Sequence, residues 1–325
     1  MKAQWRTAVL GAGAIAEHHL NAIRLTEGFT ACAIADIDVG RAKLIAAKYG
    51  IAGYTDYREL IDREKPDVVT IALPHFLHAE AAVHAAERGC HLMLEKPMAL
   101  STAECDRILV AGRKQGVRIV VGHTQHYMKE NLAAKRILQS GELGELVMIH
   151  DVRHADYFHE SRPRWFLDRA SSGGGILANL GSHSIDKIQW LTERAVRQVK
   201  ASVSHHTAYN VEGSGAVYLE LEGGIPAMIV QSGYRGARRN ETEIIGTQGM
   251  LRLRTGDSLW KSVGGPYERV DIPNESDPFL LQYAELSEAI LADDESMASP
   301  LYGRSIVAVL EAIYRAAREG REVRV

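Results

Sequence analysis

Gly11, Gly13 and Ala16 stand at G-x-G-x-x-A spacing, and a carboxylate, Asp36, ends the next apolar run. The chemistry this pattern serves is the holding of a dinucleotide. Gly11 permits a tight turn, Gly13 lets a pyrophosphate approach the backbone, and Ala16 is small enough for a helix to pack on a strand. The helix N-terminus, entered through Ala14 and Ile15, supplies free N–H groups and a partial positive charge for the phosphates. Asp36 stands where an acid accepts from the adenosine ribose 2′-hydroxyl and repels a 2′-phosphate, which predicts NAD. Arg41 is near enough to leave NADP possible. Taken alone, Asp36 also reads as a turn acid leading into Asp38.

Residues 7–10 read as a buried strand, and Ile15, His19 and Ile23 recur at helical spacing, so the glycine turn joins a strand to a helix. Alternation continues with a helix over 39–49, a strand over 53–55, a helix through Glu59-Leu60-Ile61 and an almost wholly apolar strand over 67–73. Such a run suits a central parallel strand covered on both faces. Pro74-His75-Phe76-Leu77-His78 follows it, just beyond a strand's carboxyl end, where open α/β sheets place their ligands. A helix over 79–88 and a strand over 91–94 lead to Glu95-Lys96-Pro97, at another carboxyl end. As residues alone, that tripeptide reads most simply as a polar loop start stopped by proline. Ser101 caps a helix to Gln115, and a strand over 118–122 completes a doubly wound unit.

Beyond Gly122 the pattern changes. A helix over 128–139, a turn at Gly141-Glu142-Leu143-Gly144 and a strand over 146–152 precede alternating runs at 196–203, 215–221, 227–234, 243–245 and 250–253. Runs of strands separated by glycine-rich turns predict an antiparallel sheet. Helices over 279–291 and 304–318 close the chain. The predicted fold class is α/β: a Rossmann doubly wound parallel sheet over 1–122, then over 123–325 an α+β domain with a large open, mostly antiparallel sheet.

A helix over 176–191 carries a second polar constellation. Leu177, Leu180, Ser184, Ile188 and Leu191 form one stripe, while Asn179, His183 and Asp186 share the opposite face with Trp190. A ligand pocket and a solvated face are equally good readings of that polar stripe. Gly173-Gly174-Gly175, just before it, permits close approach of another backbone or of a cofactor.

At 325 residues the chain suggests two domains, and a net charge of −3 gives no reason to expect nucleic acid or a membrane surface as partner. The first strand follows Met1-Lys2 almost directly and no apolar run approaches membrane-spanning length, so a cytoplasmic protein is expected. Cys32, Cys90 and Cys105 are odd in number and far apart, which favours reduced thiols over a disulfide framework or a zinc site.

Together these motifs resemble the Gfo/Idh/MocA family of oxidoreductases. The parts follow the family's order: Gly11-Ala12-Gly13-Ala14-Ile15-Ala16, Pro74 with His78, Glu95-Lys96-Pro97, then Gly173-Gly174-Gly175, Gly181, His183 and Asp186, then Gly246-Thr247-Gln248-Gly249. The resemblance implies a nicotinamide cofactor on the Rossmann domain, touched by Pro74, His78, Glu95 and Lys96, and a C-terminal sheet whose free face makes a homodimer or homotetramer. It implies that Lys96 hydrogen-bonds the reacting oxygen and that His183 is the general acid/base, with Asn179 beside them and Asp186 orienting substrate or holding His183. Those roles agree with elementary chemistry: a histidine takes the hydroxyl proton as hydride leaves, and an ammonium stabilises the developing alkoxide.

Two positions depart from the family pattern. Asn179 stands where many members have an aspartate, and His126-Tyr127 replaces a frequent Arg-Phe pair. His123, His154, Tyr157 and Trp165 read as substrate contacts, since aromatic rings beside polar donors suit a polyhydroxylated ligand. The spacing of His123 and His126 fits no strong metal pattern, and no metal is expected. The expected function is NAD(P)-dependent hydride transfer at a secondary hydroxyl or ketone of a sugar, sugar derivative or cyclic polyol. The alternatives are a glycoside hydrolase that oxidises its sugar transiently on a retained cofactor, and a cofactor-binding protein without turnover.

Overall fold

The computed structural model describes residues 4–273, 277–292 and 300–325, so Met1-Lys2 lie outside the described residues. They divide into two compact units, one of residues 4–124 with 277–292 and 300–304, the other of 125–273 with 305–325. The sequence division at 122/123 therefore misses a return of the chain to the first unit. Helical periodicity shows that a segment has an apolar face but not which core receives it.

In the first unit, β1 (Trp5–Leu10), β2 (Phe29–Ala35), β3 (Ala52–Tyr54), β4 (Val68–Ile71), β5 (His91–Leu94) and β6 (Ile119–Val121) form a parallel sheet in the order β3-β2-β1-β4-β5-β6. Its helices are α1 (Ala16–Leu25), α2 (Val39–Tyr49), α3 (Tyr57–Glu64), α4 (His78–Ala86) and α5 (Thr102–Gln115). The order reverses between β1 and β4, and a ligand crevice opens at such a switch point. Val68, Val69 and Ile71 of β4 are fully buried, as expected of a strand covered on both faces. Capping fixes where the helices begin: Asp38 accepts from the Arg41 N–H at 3.1 Å, and Ser101 from that of Glu104 at 3.2 Å. Cys90 and Cys105 are buried, and burial pushes the Cys32 thiol up to about 11 and the Cys90 thiol to about 12.

The second unit contains α6 (Lys129–Ser140), α7 (Arg169–Ser172) and α8 (Ser182–Thr192) and is built on nine strands in the order β14-β13-β12-β11-β7-β10-β9-β8-β15. These are β7 (Leu146–His154), β8 (Val196–Ser204), β9 (Ser214–Leu221), β10 (Ile225–Ser232), β11 (Arg239–Gly246), β12 (Met250–Arg254), β13 (Ser258–Ser262), β14 (Glu268–Arg269) and β15 (Val323–Arg324). Among the described residues of this sheet only β7 and β10 pair in parallel, so it is mostly antiparallel. Alternation gives it two faces: Ile149, Val217, Leu219, Ala227, Ile229 and Ile244 are buried, whereas Met148, Tyr218 and Met228 are exposed. The buried face receives the segment that holds His183.

Two helices complete the described chain. These are α9 (Pro278–Ala292) and α10 (Pro300–Glu319), and α9 places Tyr283 and Leu286 in the core around β1, α1 and β2. No helix among the described residues is long and apolar enough to cross a membrane.

Candidate active site

The glycine turn is held by backbone geometry. Gly11 has φ +98°, and a Cβ there would collide with the Ala72 carbonyl, so the position requires glycine. A Cβ on Gly13 would instead enter open space, the cradle into which a pyrophosphate fits. The Asp36 carboxylate accepts from the N–H of Ala12 at 2.8 Å and from that of Asp38 at 2.8 Å, and Arg41 approaches it to 3.2 Å. Asp36 is thus pinned against the glycine loop and also holds the turn that leads into Asp38. Ala14 and Ile15 lead into α1, with Ile15 at its N-cap.

The second corner of this unit lies after β4 and β5. Pro74 opens a single 3-10 turn, His75–Leu77, that runs into α4. His78 is buried, with Nδ1 2.9 Å from the Pro97 carbonyl and Nε2 2.8 Å from that of Leu73. Burial lowers its pKa although both carbonyls favour the protonated ring. Both ring nitrogens are spent on backbone, so His78 ties the Pro74 turn to the Lys96-Pro97 turn. Glu95 and Lys96 are half-buried at the end of β5. Burial raises the Glu95 carboxyl, but the hydrogen bond and charge of His19, with Lys96, hold it below its ordinary range. His123 is buried with its ring edge-on to Tyr302, centroids 5.5 Å apart.

In the second unit the expected straight helix is broken into two kinds of turn. Leu177–Gly181 is a π-helix, and α8 (Ser182–Thr192) continues from it. The widened turn contains Asn179, and such insertions often mark functional positions. Of the polar stripe, Asn179 is buried and Asp186 fully so, while His183 and Trp190 are half-buried. Of the three glycines before it, Gly174 makes room for the Tyr314 hydroxyl and Gly175 for the Glu212 backbone, so the protein itself fills the space they leave.

Glu212 holds the start of this segment. Its carboxylate accepts from the N–H of Gly175 at 2.8 Å, the N–H of Leu177 at 3.0 Å and the Tyr314 hydroxyl at 2.9 Å. Beneath α8, Lys187 Nζ donates to Asp151 Oδ2 at 2.9 Å, Thr242 Oγ1 at 2.8 Å and Thr255 Oγ1 at 3.0 Å, which satisfies all three ammonium hydrogens. Asp151 also accepts from Ser184 and, at 2.7 Å, from Thr242. Burial raises the Asp151 carboxyl, but Lys187, Arg153 and these hydroxyls bring it down to about 2. The residues adjoining His183 and Asp186 in sequence, Ser184 and Lys187, are therefore bolted to the sheet.

On the remaining face, Asp186 Oδ1 lies 2.6 Å from His126 Nε2, and the His126 ring stacks on Trp190 with centroids 4.9 Å apart at 13°. Asp186 is thus paired with a histidine that stands at one of the departures from the family pattern. Tyr157 is fully buried; its hydroxyl donates to the Gly175 carbonyl at 3.3 Å and hydrogen-bonds the Asn179 side chain. Burial pushes that phenol up to about 12. His183 is half-buried at the start of α8, and His154 is half-buried at the end of β7. Trp165 stacks on Phe166 at 3.6 Å within a short 3-10 turn, Arg164–Leu167.

Within this unit the structure brings Tyr157 together with Asn179, and Asp186 with His126. Glu212, Asp151 and Lys187 escaped the sequence reading. Lys187 carried a signal, the lone lysine or arginine of residues 176–191, directly after Asp186, whereas nothing in the local sequence links Glu212 to residues 175–177.

Residues 5–123 match the family model described as an oxidoreductase family with an NAD-binding Rossmann fold, and residues 131–252 match the GFO/IDH/MocA C-terminal domain. Inositol 2-dehydrogenase of Salmonella paratyphi B is 30% identical over 261 residues, 77% of this chain and 74% of that one. A 1-carboxy-3-chloro-3,4-dihydroxycyclohexa-1,5-diene dehydrogenase of Comamonas testosteroni is 30% identical over 196 residues, 60% of this chain but only 49% of that enzyme. Aldose-aldose oxidoreductase from Caulobacter crescentus, whose crystal structure holds glycerol, superposes with a TM-score of 0.91 at 27% identity, covering 99% of this chain and 100% of that one. The chain belongs to the Gfo/Idh/MocA family of oxidoreductases, and residues 5–123 are that family's NAD-binding Rossmann domain.

Proposed function

We propose that the protein is a dehydrogenase that exchanges hydride between NAD and a secondary hydroxyl or ketone of a sugar, sugar derivative or cyclic polyol. The observation that carries this reading is the dinucleotide cradle: Gly13, with open space where a Cβ would stand, beside an Asp36 carboxylate fixed 2.8 Å from the Ala12 N–H. The substrate class is supported by relatives named for inositol and for aldoses. Bound NAD supplies the acceptor for the hydride. Lys96 donates a hydrogen bond to the reacting oxygen and stabilises the negative charge that grows there. His183 takes the hydroxyl proton, a task suited to imidazole near neutral pH.

Asn179 orients the substrate and moves no proton, since an amide has no ionised form to offer. Tyr157 holds it in place. His123, His154, Trp165 and Asp186 complete the set of substrate contacts, with Pro74, His78 and Glu95 on the cofactor side. The active form is a homodimer or homotetramer in the cytoplasm, joined through the exposed face of the second sheet. Support for the assembly comes from Met148, Tyr218 and Met228, which are 38%, 37% and 47% exposed on that face.

The test is a screen of polyols, aldoses and aryl glycosides with NAD, read at the reduced-nicotinamide absorbance and for aglycone release. Accumulating NADH with a free sugar or polyol is the expected result. Aglycone release without net NADH would assign the protein to transient-oxidation glycoside hydrolysis instead, and binding of NAD without either would assign it to a role without turnover.

A further inference from the structure

A chain of buried side-chain hydrogen bonds ends at the Glu95-Lys96 turn of the first unit. Thr70 Oγ1 lies 2.8 Å from the Tyr283 hydroxyl, which lies 3.1 Å from His19 Nδ1. His19 Nε2 lies 3.0 Å from Glu95 Oε1, and Glu95 Oε2 accepts from the Lys96 backbone N–H at 3.2 Å. Thr70, His19 and Tyr283 are each fully buried. His19 stands at helical spacing with Ile15 and Ile23 and faces the core. It nevertheless spends both ring nitrogens on polar partners. Tyr283 arrives on α9, the helix that returns to this unit, and lies outside both family-matched segments.

We infer that His19 and Tyr283 are positioning residues for Lys96, acting through the Glu95 carboxylate. Glu95 has His19 as a neighbour and carries a negative charge, and a carboxylate only accepts. The hydrogen between His19 and Glu95 therefore sits on Nε2 whichever protonation state the ring adopts. Tyr283 and Thr70 fix the other ring nitrogen, so the imidazole cannot rotate, and Glu95 is clamped from one side by His19. Its second oxygen then holds the peptide N–H from which the Lys96 side chain departs. Phe279 packs edge-on against the His19 ring with centroids 5.1 Å apart, which adds a steric stop to the hydrogen-bonded one. Without His19, the Glu95 carboxylate loses its donor and turns or takes up a proton, and the Lys96 peptide loses its anchor. This inference rests on the role proposed for Lys96 at the reacting oxygen, and its test is chosen to work even if no substrate is found.

The NAD-bound protein is labelled with trace acetic anhydride well below its melting temperature, and Lys96 acetylation is measured by peptide mass spectrometry against the exposed Lys43 and Lys114. In His19→Leu, relative labelling of Lys96 shifts at least threefold, and turnover on any substrate found falls by about ten- to a hundredfold, the scale of a roughly 1 Å misplacement. His19→Gln, whose amide both donates and accepts, restores labelling. Tyr283→Phe, which deletes one hydroxyl and keeps the ring, shifts labelling in the same direction as His19→Leu by a smaller factor. Unchanged labelling in His19→Leu overturns the inference, as does a His19→Gln protein no closer to wild type than His19→Leu. If His19→Leu does not fold, unchanged labelling in Tyr283→Phe overturns it equally. A wild-type protein that turns over no polyol or sugar counts against the proposed function, while the labelling comparison still decides the positioning role.

Discussion

His126 Nε2 and Asp186 Oδ1 lie 2.6 Å apart, with the imidazole laid flat on Trp190 and the carboxylate fully buried. The pair binds the residues that follow β6 to the middle of α8, and it uses the histidine that replaces a frequent arginine. Asp186→Asn keeps the shape and removes the charge that orients the ring. A charge-assisted hydrogen bond contributes about 1.5 to 3 kcal/mol of stability, so the melting temperature should fall, and with the ring released kcat/KM should fall by about ten- to a hundredfold. Initial-rate kinetics beside a thermal melt check this, and unchanged kcat/KM would reduce the pair to packing.

Asp36 should make the protein prefer NAD. Its carboxylate is already fixed by two backbone N–H groups, so it cannot swing away from a 2′-phosphate. Arg41, 3.2 Å from it, neutralises part of the repulsion. By calorimetry the Kd for NADP should exceed that for NAD by about tenfold or more, at least 1.4 kcal/mol. Asp36→Ser should narrow the gap, and equal affinities in the wild type would remove the argument.

The Asp151–Lys187 pair should govern acid stability. Asp151 is held at about 2 in the folded protein against 3.8 ordinarily, so its contribution is complete above 3.8 and is lost as pH falls towards 2. A gap of that size corresponds to about 2 to 3 kcal/mol. Urea unfolding at pH 6 and pH 2.5 should show most of that loss in the wild type and a smaller one in Asp151→Leu/Lys187→Met. Lys187→Met alone leaves an unpaired buried carboxylate and should cost about 3 to 5 kcal/mol at neutral pH. Equal acid sensitivity of wild type and double variant would contradict the assignment.

Residues that act through the backbone were the legible ones. The glycine turn, the strand before it and the doubly wound alternation could be read because their requirements are local: a φ only glycine tolerates, a two-residue period, a capping side chain. The mostly antiparallel sheet was legible for the same reason, although β13 and the edge strands were not separated from turns. The return of α9 was not legible, because its apolar face fits either core. The π-turn at Leu177–Gly181 shifts every later residue around the helix axis, and a uniform 3.6-residue period cannot show that shift. Nor could spacing reveal that Asp186 meets His126, or that Tyr157 meets Asn179, since such contacts depend on how distant segments pack.

The exposed sheet face should join copies of the chain. Met228 stands opposite Tyr218 across the β9–β10 pair, and both side chains point away from α8. Light scattering at micromolar concentration should give the mass of a dimer or tetramer, and Met228→Lys should lower it. A monomeric wild type would contradict the proposal.

The most direct measurement compares single-turnover and steady-state rates of His183→Ala, Lys96→Ala and Asn179→Ala with wild type, on whichever polyol or sugar first yields NADH. The first two should lose about two to four orders of magnitude in kcat, the reach of a positioned acid/base. Asn179→Ala should lose less and chiefly through KM. Near-normal turnover by His183→Ala would contradict the assignment of the proton acceptor, and with it the proposed chemistry.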